Sequence, residues 1–189
     1  YNINGTGTFY DTYLLNTANA YSGNVSYLRN GAGAIYVAYY SRNNYSGNVI
    51  LKANALSTNE SFLNGSDITG NLTVESVGGI ATIGALAHAT KVGGTLNISG
   101  TTSGVFYIRR IINQQNGGSI NLANRSTIDI QEDTIRVNAI NISEHSAGLD
   151  LSRNSIIGNI VYSSANATSG TSYVRNNIIT GTASFTING

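Results

Sequence analysis

Short runs of alternating apolar and polar residues follow one another along the whole chain, and the runs recur. Tyr21-Ser-Gly-Asn-Val25 returns as Tyr45-Ser-Gly-Asn-Val49, 24 residues on, and Gly70-Asn71-Leu72 follows Gly47-Asn48-Val49 at a step of 23. Continued in register, the anchors are Gly23, Gly47, Gly70, Gly94, Gly118, Asn138, Gly158 and Gly181. Two residues past them stand Val25, Val49, Leu72, Leu96, Ile120, Ile140, Ile160 and Ala183. Four past them stand Tyr27, Leu51, Val74, Ile98, Leu122, Ile142, Tyr162 and Phe185. All are apolar, while the positions between them are mostly Asn, Ser and Thr. Period-2 alternation of this kind predicts one strand per unit with an apolar inner face and a polar outer face. Extended backwards, the register puts Tyr1 and Ile3 at the inward positions of a preceding coil.

A second alternating segment lies about ten residues beyond each first one, as Ala34–Val37, Ile80–Ile83, Val105–Ile108, Ile128–Ile130 and Leu149–Leu151. A third apolar point falls two residues before most anchors, at Tyr21, Tyr45, Ile68, Val92, Ile156 and Ile179. Three short strands per unit of 20 to 24 residues predict an all-β chain, a right-handed parallel β-helix (β-solenoid) of about eight coils. One such unit cannot bury its own apolar face, so stacking creates the core. Residues 1–189 are expected to form a single solenoid segment cut from a longer repeat protein, because neither end carries a polar or helical cap. Four residues before the anchors come Asn19, Asn43, Ser66, Thr90, Gln114, Thr134, Asn154 and Asn177. A column of amides and hydroxyls at a turn predicts a structural ladder bonded from coil to coil, each bond adding about 1 kcal/mol.

Composition narrows the picture further. The chain has no Pro and 22 Gly, as expected where most backbone lies in or beside a ladder that proline would interrupt. Zero Cys removes disulfides, thiolate zinc sites and cysteine nucleophiles. Only 10% of residues are charged and the formal net charge is +1, so there is no basic field to hold a nucleic-acid backbone. No apolar run reaches the roughly 18 residues of a membrane span, so membrane insertion is not expected. No cofactor or metal ligand set is expected. His88 has no second ligand near it in sequence. Ice binding would need paired outward Thr on every coil, and the outward positions are mixed.

Two groups carry candidate chemistry. Asp129 and Asp150 take equivalent places in neighbouring second strands, with Arg109, Arg110, Glu132, Asp133, Arg136, Glu144 and His145 close in sequence. Stacked carboxylates about 5 Å apart raise each other's proton affinity or bind a cation between them. A solvated charge patch, with Asp and Arg alternating between coils, accounts for the same residues without chemistry. Nine of the 12 tyrosines fall in the first 45 residues. Among them Tyr36, Tyr39 and Tyr40 are candidate contacts for carbohydrate or a partner chain, against the alternative of ring stacking between coils.

The phrases Asn30–Tyr36, Ala38–Val49, Gly70–Val74 and Gly118–Asn124 resemble the repeat units of the very large secreted surface proteins of Bacteroidota. The resemblance implies an extracellular or cell-surface, adhesin-like protein exported as type IX secretion cargo, the β-helix serving as stalk or display scaffold. It implies as partners the adjacent coils of the same longer chain, and surface polysaccharide or other surface proteins. Tyr21 and Tyr45 stand where the family has Phe. The triplet Asp133-Thr134-Ile135 fits the short O-glycosylation pattern of that phylum. Parallel β-helices also include polysaccharide lyases and glycoside hydrolases, which makes Asp129, Asp150 and Arg109 the catalytic candidates of an alternative reading. The leading expectation is a non-catalytic structural or adhesive segment.

Overall fold

The computed structural model describes residues 1–11, 18–39, 42–54, 60–76, 79–84, 88–100, 104–123, 127–143, 148–164 and 171–187. Every element among them is a strand, and every strand pairing is parallel. The chain is a parallel β-solenoid, with about six turns stacked between two terminal ones, slightly fewer full turns than the repeat count suggests. Each coil contributes three strands. The first column runs through Val25–Arg29, Val49–Ala53, Leu72–Ser76, Leu96–Gly100 and Ser119–Ala123 to Ala183–Ile187. The second runs from Phe9–Asp11 through Ile35–Val37, Glu60–Leu63, Ile80–Ile83, Val105–Arg109, Thr127–Gln131 and Leu149–Ser152 to Tyr173–Arg175. The third runs from Ala20–Tyr21 through Asn43–Tyr45, Ser66–Ile68, Thr90–Val92 and Ile111–Asn113 to Ile178–Thr180. In Thr134–Ser143 and Ser155–Ser164 the third strand of one coil fuses with the first strand of the next, with a register irregularity between Arg136 and Ala139.

The alternation read from the sequence is the burial pattern. Leu72–Ser76 and Leu96–Gly100 bury every second residue, and one continuous apolar core extends from Tyr27 to Tyr162. The pairings Val25↔Val49, Val49↔Leu72, Leu72↔Leu96, Ile120↔Ile140, Ile140↔Ile160 and Ile160↔Ala183 follow the expected register. Two steps differ, each by two residues. Ile120 pairs with Ile98 rather than Leu96, and Ile3 pairs with Arg29, which stacks Tyr1 on Tyr27 at 5.2 Å. A slip of two keeps inward residues inward, so the apolar pattern alone does not reveal it.

The slip has a local cause at the corner after the second strand. In six coils the chain turns there through one residue with positive φ: Ala38, Gly84, Arg110, Glu132, Arg153 and Asn176. After Ala38 and Gly84, residues 39–42 and 85–89 intervene before the third strand. After Arg110, Glu132 and Arg153 the third-strand position follows at once. The coil shortens there, and the ladder column shifts with it. Its true members are Asn19, Asn43, Ser66, Thr90, Ile111, Asp133, Asn154 and Asn177. Gln114 and Thr134 lie off the column: Gln114 is exposed past the end of its strand, and Thr134 sits one residue beyond Asp133.

The anchor glycines are dictated by the coil beneath. A Cβ at Gly47, Gly70 or Gly94 would lie 2.6, 2.7 or 2.8 Å from the carbonyl carbon of Gly23, Gly47 or Gly70 respectively. Gly158, at φ 145°, would meet the Val137 carbonyl oxygen at 2.1 Å. Gly158→Ala therefore collides with backbone, and is expected to lower stability by more than about 2 kcal/mol in urea unfolding. Leu96, fully buried, leads to a second expectation. Leu96→Asp removes a core side chain and buries a carboxylate without a partner, lowering the unfolding temperature by at least about 5 °C, and an unchanged melting curve would contradict the register.

Candidate functional site

The outer face of the second column presents the candidate residues. The backbone register places Tyr10, Tyr36, Phe62, Thr82, Tyr107, Asp129, Asp150 and Tyr173 in one line along the solenoid axis. Asp129 and Asp150 are thus direct neighbours on adjacent coils. Arg109, two residues after Tyr107 and so on the same outward face, pairs through Nη2 with Asp129 Oδ2. Arg175 reaches the other acid from the following coil, Nη2 to Asp150 Oδ2 at 3.2 Å. Each arginine also covers its own tyrosine, Arg109 over Tyr107 and Arg175 over Tyr173, both 4.7 Å from guanidinium carbon to ring centroid. The result is a nearly symmetric line of Tyr, Arg, Asp, Asp, Arg, Tyr.

Beside it, on the corner, Glu132 takes Arg110 Nε on one oxygen at 2.8 Å and Arg153 Nη2 on the other at 3.0 Å. The hydrogen bond from Arg110 holds the Glu132 carboxyl below its ordinary range, and burial opposes this only in part. The hydrogen bond to Asp129 raises the already high proton affinity of Arg109. The second oxygens, Asp129 Oδ1 and Asp150 Oδ1, are enclosed and have no hydrogen-bond partner. Among the described residues no third acidic or histidine side chain completes a metal-binding group with them, whereas Ca²⁺ takes six to eight oxygens. Glu144, His145 and Tyr40 lie outside the described residues. His88 is exposed.

The tyrosine cluster is arranged along the axis rather than across it. Tyr10 and Tyr36 stack at 5.1 Å and 15°, and Tyr39 sets its edge against both, at 5.9 and 4.9 Å. A ring stacked on the next coil turns its edge and hydroxyl to solvent and keeps its face against its neighbour.

Two further features escaped the reading of the sequence. The first is an interior polar cluster built on Asp11, whose position in the second strand points inward with Phe9. Asp11 Oδ1 accepts from Asn19 Nδ2 and the Tyr21 hydroxyl, both at 2.7 Å. Its Oδ2 accepts from the Tyr27 hydroxyl at 2.5 Å and Asn43 Nδ2 at 2.9 Å. Burial, before any other cause, pushes the Tyr45 hydroxyl up to about 12 and those of Tyr21 and Tyr27 higher still. The parity of Asp11 with Phe9 was the available signal. The second is another amide ladder just past the anchors. The backbone N–H groups of Asn48, Asn71 and Thr95 donate to the Oδ1 atoms of Asn24, Asn48 and Asn71, each at 2.8 Å. These residues read from sequence only as outward polar positions.

The Arg109–Asp129 pair is partly enclosed, with side-chain exposures of 28% and 11%. Arg109→Ala leaves Asp129 without its cation and is expected to cost about 1–3 kcal/mol, less than a fully buried pair and more than an exposed one. Adding Asp129→Ala should recover much of that loss, and a double-mutant cycle measured by denaturant unfolding that shows no coupling would contradict the pairing. Comparisons with protein families, with curated proteins and with solved structures find no match for this chain.

Proposed function

We propose that the chain is a structural segment, a stalk or display scaffold of a large secreted bacterial cell-surface repeat protein with an adhesive role. One observation carries this reading: all six ion pairs of the described residues join neighbouring coils. Arg42 holds Asp67 at 2.5 Å, Lys52 holds Glu75 at 2.6 Å, and the Arg109, Arg110, Arg153 and Arg175 pairs do the same further along. General acid–base work asks for one carboxyl poised to give a proton and another free to take one. Carboxylates each paired with an arginine or lysine of a neighbouring coil instead serve as staples along the axis. The amide ladders add to these staples, so successive coils are joined at their corners as well as through their sheets. The extracellular setting rests on the likeness of the repeat phrases to Bacteroidota surface proteins.

The alternative, a polysaccharide lyase or glycoside hydrolase using Asp129, Asp150 and Arg109, makes a different forecast. Incubation with a panel of neutral and acidic polysaccharides, read by reducing-end release and by ultraviolet absorbance of unsaturated products, is expected to give no turnover. Turnover that disappears in Asp150→Asn while the fold is retained would overturn the structural reading.

A further inference from the structure

The inner ladder obeys one rule in its last two coils. Asn154 Oδ1 accepts the backbone N–H of Asp133, and Asn177 Oδ1 accepts that of Asn154, both at 3.0 Å. Their Nδ2 groups then donate back to the second strand of the preceding coil, Asn154 to the Ile130 carbonyl and Asn177 to the Leu151 carbonyl, both at 2.8 Å. Each amide therefore fills two roles, as acceptor on one arm and donor on the other, and ties the corner of its coil to the coil before.

Asp133 occupies the same column one coil earlier, in register with Asn154. It is 2% exposed. Its Oδ1 plays the acceptor part, taking the Ile111 backbone N–H at 2.6 Å. Its Oδ2 stands where the asparagines carry their donor, enclosed and without a hydrogen-bond partner. The carbonyl equivalent to those of Ile130 and Leu151 belongs to Ile108, which pairs with Ile130. Among the described residues the neighbouring cations are engaged elsewhere: Arg109 pairs with Asp129, and Arg110 and Arg153 pair with Glu132. The preceding ladder residue, Ile111, offers no polar side chain.

We propose that Asp133 is carried in the ladder as a neutral carboxylic acid, its Oδ2–H donating to the Ile108 carbonyl in the part an asparagine amide plays elsewhere. The corner is then a pH-operated latch, because loss of that proton removes the donor and leaves a charge inside the solenoid. The surroundings agree on direction. Burial raises the proton affinity of Asp133 well above the ordinary carboxylate range, the Ile111 N–H and Arg109 oppose this, and Asp129 and Glu132 reinforce it. A group whose folded value is raised contributes fully below its unfolded value, about 3.9, and its contribution is lost as pH rises through the folded value. The latch is closed in acid and opens toward alkali.

The test is a pH series of thermal unfolding on the full chain and on Asp133→Asn, with infrared spectra of both at neutral pH. The wild-type unfolding temperature is expected to fall by about 4 °C or more between pH 5 and pH 9 relative to the variant. The variant keeps its donor at every pH. The wild-type spectrum is expected to show a protonated-carboxyl C=O stretch that the variant lacks. Parallel pH profiles, or a wild-type spectrum without that band, would overturn the proposal. Should Asp133→Asn fail to fold, the wild-type infrared spectrum alone decides between the two.

Discussion

Everything in this molecule follows from in-register parallel stacking, in which each residue lies one strand spacing, about 4.8 Å, from its counterparts above and below. The constraint acts on backbone and side chains together. An inward position must suit its own kind, which selects Val, Leu and Ile at 25, 49, 72, 96, 120, 140 and 160. A turn position must leave room for the coil beneath, which selects Gly at 47, 70 and 94. A corner amide can bond to the next corner because the spacing matches the reach of one Asn side chain. Each of these choices is weak for one coil and becomes decisive when repeated.

The same constraint explains how much was legible in the sequence. Strands whose two faces differ announce themselves by period, so the first and second columns were readable, including the adjacency of Asp129 and Asp150. What the period cannot carry is a displacement by two residues, because the parity of every side chain survives it. The shortened corner at Arg110 introduces that displacement in the first column, and in the ladder column the shift is odd: Ile111 stands three residues before Gln114 and Asp133 one before Thr134. Sequence logic also expects charge to face water. Asp11 and Arg29 face inward all the same, Asp11 satisfied by tyrosine hydroxyls and amides, and Arg29 with its proton affinity lowered by burial. Neither exception could be read without the partners that the fold brings from other coils.

Charge in this chain is scarce and spent across coil boundaries. The partly enclosed pair of Asp129 and Asp150 has the spacing of a paired-carboxylate site. Its electrostatics differ, since each acid has a dedicated arginine and each arginine rests on a tyrosine ring. A low-charge solenoid gains two things from that arrangement. The two stacked carboxylates are each met by an arginine, and the outer face gains side-chain ties between coils beside those of the backbone ladder.

The corner after the second strand has one more consequence. Between its left-handed residue and the ladder position the chain inserts residues 39–42 in one coil, 85–89 in another and none after Arg110 or Arg153. The columns on either side stay continuous through all of these lengths. That corner is thus a port where the length of chain can vary while the columns on either side continue. A sequence that diversifies there acquires new surface one coil at a time while the rod that carries it keeps its pitch.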